Sequence, residues 1–178
     1  AVDWVSKLKL GSPFDAATTL GPMANRRFAE NVSRQIADAI TDGAVPMIDP
    51  ALFPEDDGGT YLAPQILTNV NHEMRVMREE SFGPVVGIMP VDSDEEAVAA
   101  MNDSPYGLTV SLWTRDAERA AALGRRLDTG TVFMNRCDYL DPALAWTGVK
   151  HTGRGATLSR LGYEHLTRPK SFHLRHAL

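Results

Sequence analysis

One cysteine stands in this 178-residue chain, Cys137. That excludes an intrachain disulfide and any cysteine-rich metal site. The five histidines (His72, His151, His165, His173 and His176) show no ligand spacing with it, so no metal is expected. No stretch approaches the roughly 20 apolar residues of a membrane-spanning helix, and no membrane association is expected. No secretory signal pattern opens the sequence. Excess positive charge is also missing: 18 Lys and Arg face 23 Asp and Glu, giving a net charge of −5 and a pI of about 5.5. A nucleic-acid groove wants a basic stripe, so nucleic acid is not expected as a partner. Neither a P-loop nor a G-x-G-x-x-G after a strand is present, so the chain carries no Rossmann fingerprint. With one free thiol, a reducing, cytoplasmic setting is the expectation.

What is present reads as an ordinary globular chain, 43% hydrophobic and 23% charged. Val2, Val5 and Leu8 recur every three residues before Gly11, as in the last two turns of a helix closed by a glycine cap. No helix start precedes them and the first residue is Ala. The expectation is a fragment of a longer protein. From Met23 a helical pattern places Phe28, Val32, Ile36 and Ile40 on one apolar stripe, ended by Asp42-Gly43. Ala44 to Ile48 is a short strand, Asp49 to Gly59 a loop, and Tyr61 to Thr68 an edge or bulged strand interrupted by Pro64. Val85 to Pro90 reads as a buried strand. Ser93-Asp94-Glu95-Glu96 is a capping box for a helix to about Asn102. Leu108, Val110 and Leu112 mark a half-buried strand, Asp116 caps a helix to about Leu127, and Thr131 to Met134 is the next strand. Strands alternating with helices argue for an α/β fold with a parallel sheet. Cys137 to Gly155 is expected to be a long, ordered irregular segment. Leu158 to Leu166 is helical, and Arg168 to Arg175 alternates like a strand with no partner in the chain.

The segment most readily tied to chemistry is Glu79-Glu80-Ser81-Phe82-Gly83-Pro84. Pro84 lacks an amide donor and Gly83 is free to take positive φ, so the run is a shaped loop before a strand. Such loops often carry function. On its own residues it reads more simply as a solvated acidic turn.

Four segments in order widen the reading: GSPFDAATTLG at 11–21, EESFGP at 79–84, SPYGLTVSLWT at 104–114, and GTVFMN with TGVKHTGRG between 130 and 155. Over essentially its whole length the chain resembles the C-terminal part of the catalytic domain of an NAD(P)-dependent aldehyde dehydrogenase. The resemblance implies a parallel-sheet catalytic domain truncated at its N-terminal side over 1–166, and an oligomerisation strand and tail over 167–178. It implies NAD or NADP as cofactor and an aldehyde as substrate, oxidised to a carboxylic acid through a cysteine thiohemiacetal and thioester. Glu80 matches the acid that binds the nicotinamide ribose, and a carboxylate can accept from both hydroxyls. Phe82 matches the aromatic beside the nicotinamide. Asn135 matches the asparagine ending the last core strand near the catalytic centre. Leu140 and Trp146 fall where the family lines the aldehyde entrance. Pairing of the tail with a neighbouring subunit would make a homo-oligomer.

The departures limit this. In the family the nucleophilic cysteine, the water-activating glutamate, the oxyanion asparagine and the dinucleotide domain all lie before the segment matched here. None matches a residue of this chain, so the isolated chain is expected to be inactive. Cys137, two residues beyond Asn135, is not the nucleophile by position and is expected to be a buried or half-buried inert thiol. Thr147 stands where the family commonly has glycine, and Gly155-Ala156-Thr157 where it commonly has Gly-Arg-Glu. Two other readings remain: a non-catalytic module that associates with full-length subunits, and a small hydrolase using Cys137.

Overall fold

Asn25 sets the start of the longest helix. Its Oδ1 accepts from the Phe28 amide at 3.0 Å, leaving α2 to run over Arg26–Thr41. The computed structural model describes residues 1–54, 59–137 and 139–177. Its contacts divide the chain into two units, Ala1–Val91 and Asp92–Leu178.

In the first unit, α1 is a single turn, Val2–Val5, shorter than the spacing predicts. Gly11 is not a helix cap and has no positive φ. The Thr19 and Leu20 amides both donate to the Lys9 carbonyl at 3.0 Å, which draws the chain into a bridge between Leu10 and Leu20. On α2 the buried residues are Ala29, Val32, Gln35 and Ala39, while Phe28 and Ile40 are about 40% exposed. A four-residue repeat drifts around a 3.6-residue helix, so the ends of the expected stripe rotate out of the core. Gly43, at φ 100°, closes the helix as expected.

Three strands follow: β1 Val45–Pro46, β2 Gln65–Thr68 and β3 Val85–Gly87. β2 pairs antiparallel with β1 and parallel with β3. It is therefore the central strand, contrary to the expected edge; Pro64 precedes it and needs no ladder donor. Successive residues of β2 face opposite sides. Leu67, fully buried, joins Ala39, Ala44, Val70, Met74 and Val76. Ile66 joins Ile48 and Phe53, covered by Val2, Val5, Leu8 and Leu10. β3 is only half-buried, not buried as expected: Val86 is 51% exposed, and Ile88 just beyond the strand 45%. The loop expected over 49–59 contains a 3₁₀ turn at Pro50–Leu52, and its residues 55–58 lie outside the described residues. A short helix α3, Arg75–Arg78, leads into the loop before β3.

In the second unit the Ser93 hydroxyl accepts from the Glu96 amide, opening α4 over Asp94–Asn102. The reciprocal bond is displaced by one residue, because the Glu96 carboxylate accepts from Asp92 N at 2.7 Å. β4 Tyr106–Gly107 and β5 Thr109–Leu112 follow. Asp116 caps α5, Ala117–Gly124, which ends three residues before the expected limit. β5 runs parallel to β6, Thr131–Met134, as the alternation of elements predicts. Arg119 grips Asp94 through two bonds of 2.8 and 2.6 Å and ties α5 to the first turn of α4.

The stretch after Asn135 is less irregular than expected. It contains β7 Trp146–Thr147, β8 Val149–Lys150 and β9 Ala156–Thr157. β7 pairs with β9, and β8 with β4. A Cβ on Gly130 would lie 1.7 Å from the Thr147 carbonyl oxygen, so only glycine permits this backbone approach. α6 covers Ser159–Leu166, and the described residues beyond it form no strand.

Leu67→Ala should destabilise the protein by about 2–5 kcal/mol, the usual range for opening a cavity at a filled core site. Val86→Ala, at a half-exposed site on the same sheet, should cost well under about 1 kcal/mol. Urea unfolding followed by circular dichroism measures both.

Candidate functional site

The loop Glu79–Pro84 is fastened at every residue that flanks Glu80. α3 stops at Glu79, whose amide donates to the Arg75 carbonyl at 2.8 Å. The Glu79 carboxylate accepts from Arg75 Nε and Nη2, each at 2.9 Å, and from Gln35 Nε2 at 3.1 Å. Arg75 Nη1 also donates to Asp38 Oδ2 at 3.0 Å, which anchors the pair to α2. The Ser81 hydroxyl donates to Gln35 Oε1. Farther on, the Pro84 carbonyl accepts from the Gln65 amide at 2.8 Å and joins the loop to β2.

Gly83 has no positive φ, contrary to the freedom expected for it. Its role is close approach: a Cβ there would sit 3.0 Å from the Val32 side chain on α2. Glu80 is exposed, and no hydrogen bond or ion pair holds its side chain among the described residues. Phe82 is 77% exposed. The loop thus spends Glu79 and Ser81 on its own structure and presents Glu80 and Phe82 outward.

Electrostatics follow the same division. The Arg75 hydrogen bonds hold the Glu79 carboxyl below its ordinary value of 4.5, opposed by desolvation and helped by Gln35 and the Arg75 charge. Hydrogen bonds from Arg75 to Glu79 and then Asp38 push the guanidinium higher still, so it stays charged throughout.

The other sequence-predicted residues belong to the second unit. Asn135 follows β6 with φ 54°, a left-handed conformation that asparagine tolerates. Its side chain is engaged at both ends by the Thr114 backbone: Oδ1 accepts from the amide at 2.9 Å and Nδ2 donates to the carbonyl at 2.7 Å. It therefore extends the β5–β6 pairing and fixes where the chain leaves the sheet. Leu140 is 57% exposed, while Trp146 is half-buried on β7 opposite Thr157. Cys137 is exposed, which corrects the expectation of a buried or half-buried thiol. It lies just beyond the sheet, beside Arg136, whose guanidinium stacks 3.7 Å from the Tyr139 ring. Thr147 donates its hydroxyl to the Gly155 carbonyl at 2.7 Å, giving this departure from the family pattern a structural task.

Sequence reasoning missed Gln35 and Arg75. A 3.6-residue register through Ala29, Val32 and Ala39 would have placed Gln35 inside and marked a polar residue at a core position. Arg75 precedes Glu79 by four, a spacing at which helical side chains meet.

Because Glu79 is lowered on folding, the stability it contributes is complete above its ordinary value of 4.5 and is lost as pH falls through the lowered one. With both side chains more than 40% exposed, solvent screening keeps the effect modest. Glu79→Gln should therefore flatten the loss of stability below about pH 4.5 and leave the slope between pH 6 and 8 unchanged. Thermal melts across that range test it.

The model of the aldehyde dehydrogenase family matches residues 1–172. Betaine aldehyde dehydrogenase 2 of Rhizobium meliloti (strain 1021) is 34% identical over 167 residues, covering 94% of this chain and 34% of that protein. Among solved structures, succinic semialdehyde dehydrogenase from Streptococcus pyogenes, in complex with NADP+, superimposes with a TM-score of 0.83 at 33% identity. That match covers 91% of this chain and 35% of the other. Betaine aldehyde dehydrogenase from Staphylococcus aureus, in complex with NAD+, gives a TM-score of 0.82 at 32% identity, covering 92% and 33%. The chain spans about a third of the length of each. A match from the first helix to the tail, with the same fold at over 30% identity, places this chain in the aldehyde dehydrogenase family.

Proposed function

We propose that this chain forms the C-terminal part of an enzyme that oxidises an aldehyde to a carboxylic acid with NAD or NADP. Residues 1–166 would belong to the catalytic domain and 167–178 to an oligomerisation strand. The observation that carries the reading is the state of Glu80. It is exposed and uncommitted on a loop whose neighbouring polar side chains are committed. An ionised carboxylate accepts only, and it can receive both hydroxyls of a ribose. The residues present therefore fit a nucleotide cofactor, with Glu80 on the nicotinamide ribose and Phe82 against its base.

When bound, the cofactor supplies the hydride acceptor. This chain's part is orientation: a ribose held at two hydroxyls cannot turn its ring away from the substrate. Asn135 would act on the substrate side by holding the chain where it leaves β6, and Leu140 and Trp146 would offer apolar surface to the aldehyde. The enzyme belongs in a reducing, cytoplasmic setting. Two relatives act on different aldehydes by name, betaine aldehyde and succinic semialdehyde, so a panel rather than one substrate is the right assay.

In the enzyme that carries this chain as its C-terminal third, Glu80→Gln keeps shape but loses charge-assisted acceptance, worth about 1.5–3 kcal/mol. Cofactor binding should weaken and hydride transfer slow, while hydrolysis of a pre-acylated enzyme changes much less. Unchanged cofactor affinity and hydride transfer would reduce the loop to a turn. The 178-residue chain by itself should yield no NADH or NADPH with a broad aldehyde panel. Turnover abolished by Cys137→Ala would overturn that.

The tail should pair with a second subunit. Phe172 and Leu174 are 73% and 71% exposed and alternate with polar residues. Backbone groups outside any sheet can pair with the edge of another chain, and burying these two side chains would contribute roughly 1.5–3 kcal/mol each. Phe172→Asp with Leu174→Asp should shift the enzyme to smaller assemblies by light scattering. An assembly unchanged by the double substitution would refute the pairing.

A further inference from the structure

Gln35 is fully buried in the middle of α2, where the neighbouring inward positions are Ala29, Val32 and Ala39. A buried amide is tolerated when its donors and acceptor are used. Here each end of the amide bonds a different residue of one loop. Nε2 donates to the Glu79 carboxylate at 3.1 Å, and Oε1 accepts from the Ser81 hydroxyl. Those two residues flank Glu80. The Glu79 carboxylate is also locked by Arg75, which is itself held by Asp38 on the same helix as Gln35. Gly83 then lies against Val32, one helical turn from Gln35.

Taken together, α2 grips the loop on both sides of its outward-facing acid. We infer that Gln35 is a positioning residue for Glu80: a single buried amide that clamps Glu79 and Ser81 and so fixes the direction in which the intervening carboxylate meets the cofactor ribose. This rests on the reading of Glu80 given above. An apolar side chain at position 35 would fill the same space and keep the core, yet would release Ser81 and leave Glu79 held by Arg75 alone. The clamp acts through backbone geometry and not through contact with the cofactor, so its effect should exist only while Glu80 is able to accept hydrogen bonds.

A double-mutant cycle separates this from a merely structural role. Gln35→Met removes both bonds at similar volume. In the enzyme that carries this chain, it should raise the dissociation constants of NAD+ and NADP+ about five- to tenfold, the scale of one or two hydrogen bonds. In a Glu80→Ala background, where residue 80 offers no acceptor, the same substitution should change them by less than about twofold. Ser81→Ala removes one of the two bonds from outside the core and should give a smaller effect with the same dependence on Glu80; it carries the cycle should Gln35→Met fail to fold.

Hydrogen exchange in the 178-residue chain itself reads the clamp without any cofactor. Amides from Ser81 to Gly83 should exchange faster in Gln35→Met and in Ser81→Ala. Unchanged exchange in both variants overturns the clamp. Equal losses of affinity with and without the Glu80 carboxylate overturn the positioning role alone. Glu80→Ala with no effect on either dissociation constant overturns the ribose reading, and the positioning role with it.

Discussion

Burial on both faces of one short strand organises the first unit. β2 has four residues, yet Leu67 and Ile66 are among the most deeply buried side chains of the protein. One reaches the cluster built from the end of α2 and the turn around Met74, and the other reaches the cluster covered by α1. A central strand with partners on both edges cannot shift register without exchanging these two sets. The loop Glu79–Pro84 inherits that rigidity, since the Pro84 carbonyl is bonded to Gln65 at the start of β2 and β3 continues from it.

On this frame the loop solves a polar problem. Two adjacent acids followed by Ser, Phe, Gly and Pro would be a mobile turn if all were solvated. Instead Glu79 and Ser81 are drawn inward by Arg75 and Gln35. The alternation in an extended segment then leaves Glu80 and Phe82 facing outward. A carboxylate on a fastened backbone has little backbone ordering entropy left to lose when it meets a ligand, only that of its own side chain. In the second unit Asn135 shows the opposite economy. Its side chain is consumed by the Thr114 backbone, so its contribution is geometric.

Membership of the aldehyde dehydrogenase family gives these features a common setting. The chain matches about a third of its relatives' length, and the Glu80 loop and the β5–β6 strand ends both lie inside that third. Large apolar side chains stay exposed at Val86 on β3, at Ile88 just after it, and at Phe172 and Leu174 in the tail.

Much of this was legible in the residues themselves. Ser93 and Asp116 cap helices where their hydroxyl and carboxylate require, because capping is local chemistry. Thr131 to Met134 is a strand as its β-branched and aromatic residues dictate, and parallel pairing with β5 follows from the helix between them. The order of four motifs singled out Glu80 by resemblance to a family, while its outward, unpartnered side chain came from the structure. What only the tertiary structure decided was which neighbour each side chain meets. Pro64 marked a break, but only pairing with β1 and β3 made the following residues a central strand. Phe28 and Ile40 looked like core by spacing, while three-dimensional packing selected Ala29, Val32 and Ala39. Gln35 and Glu79 are 44 residues apart in the chain. No local rule links them, because a hydrogen bond of that separation exists only once the helix and the loop have been brought together by the burial of other residues.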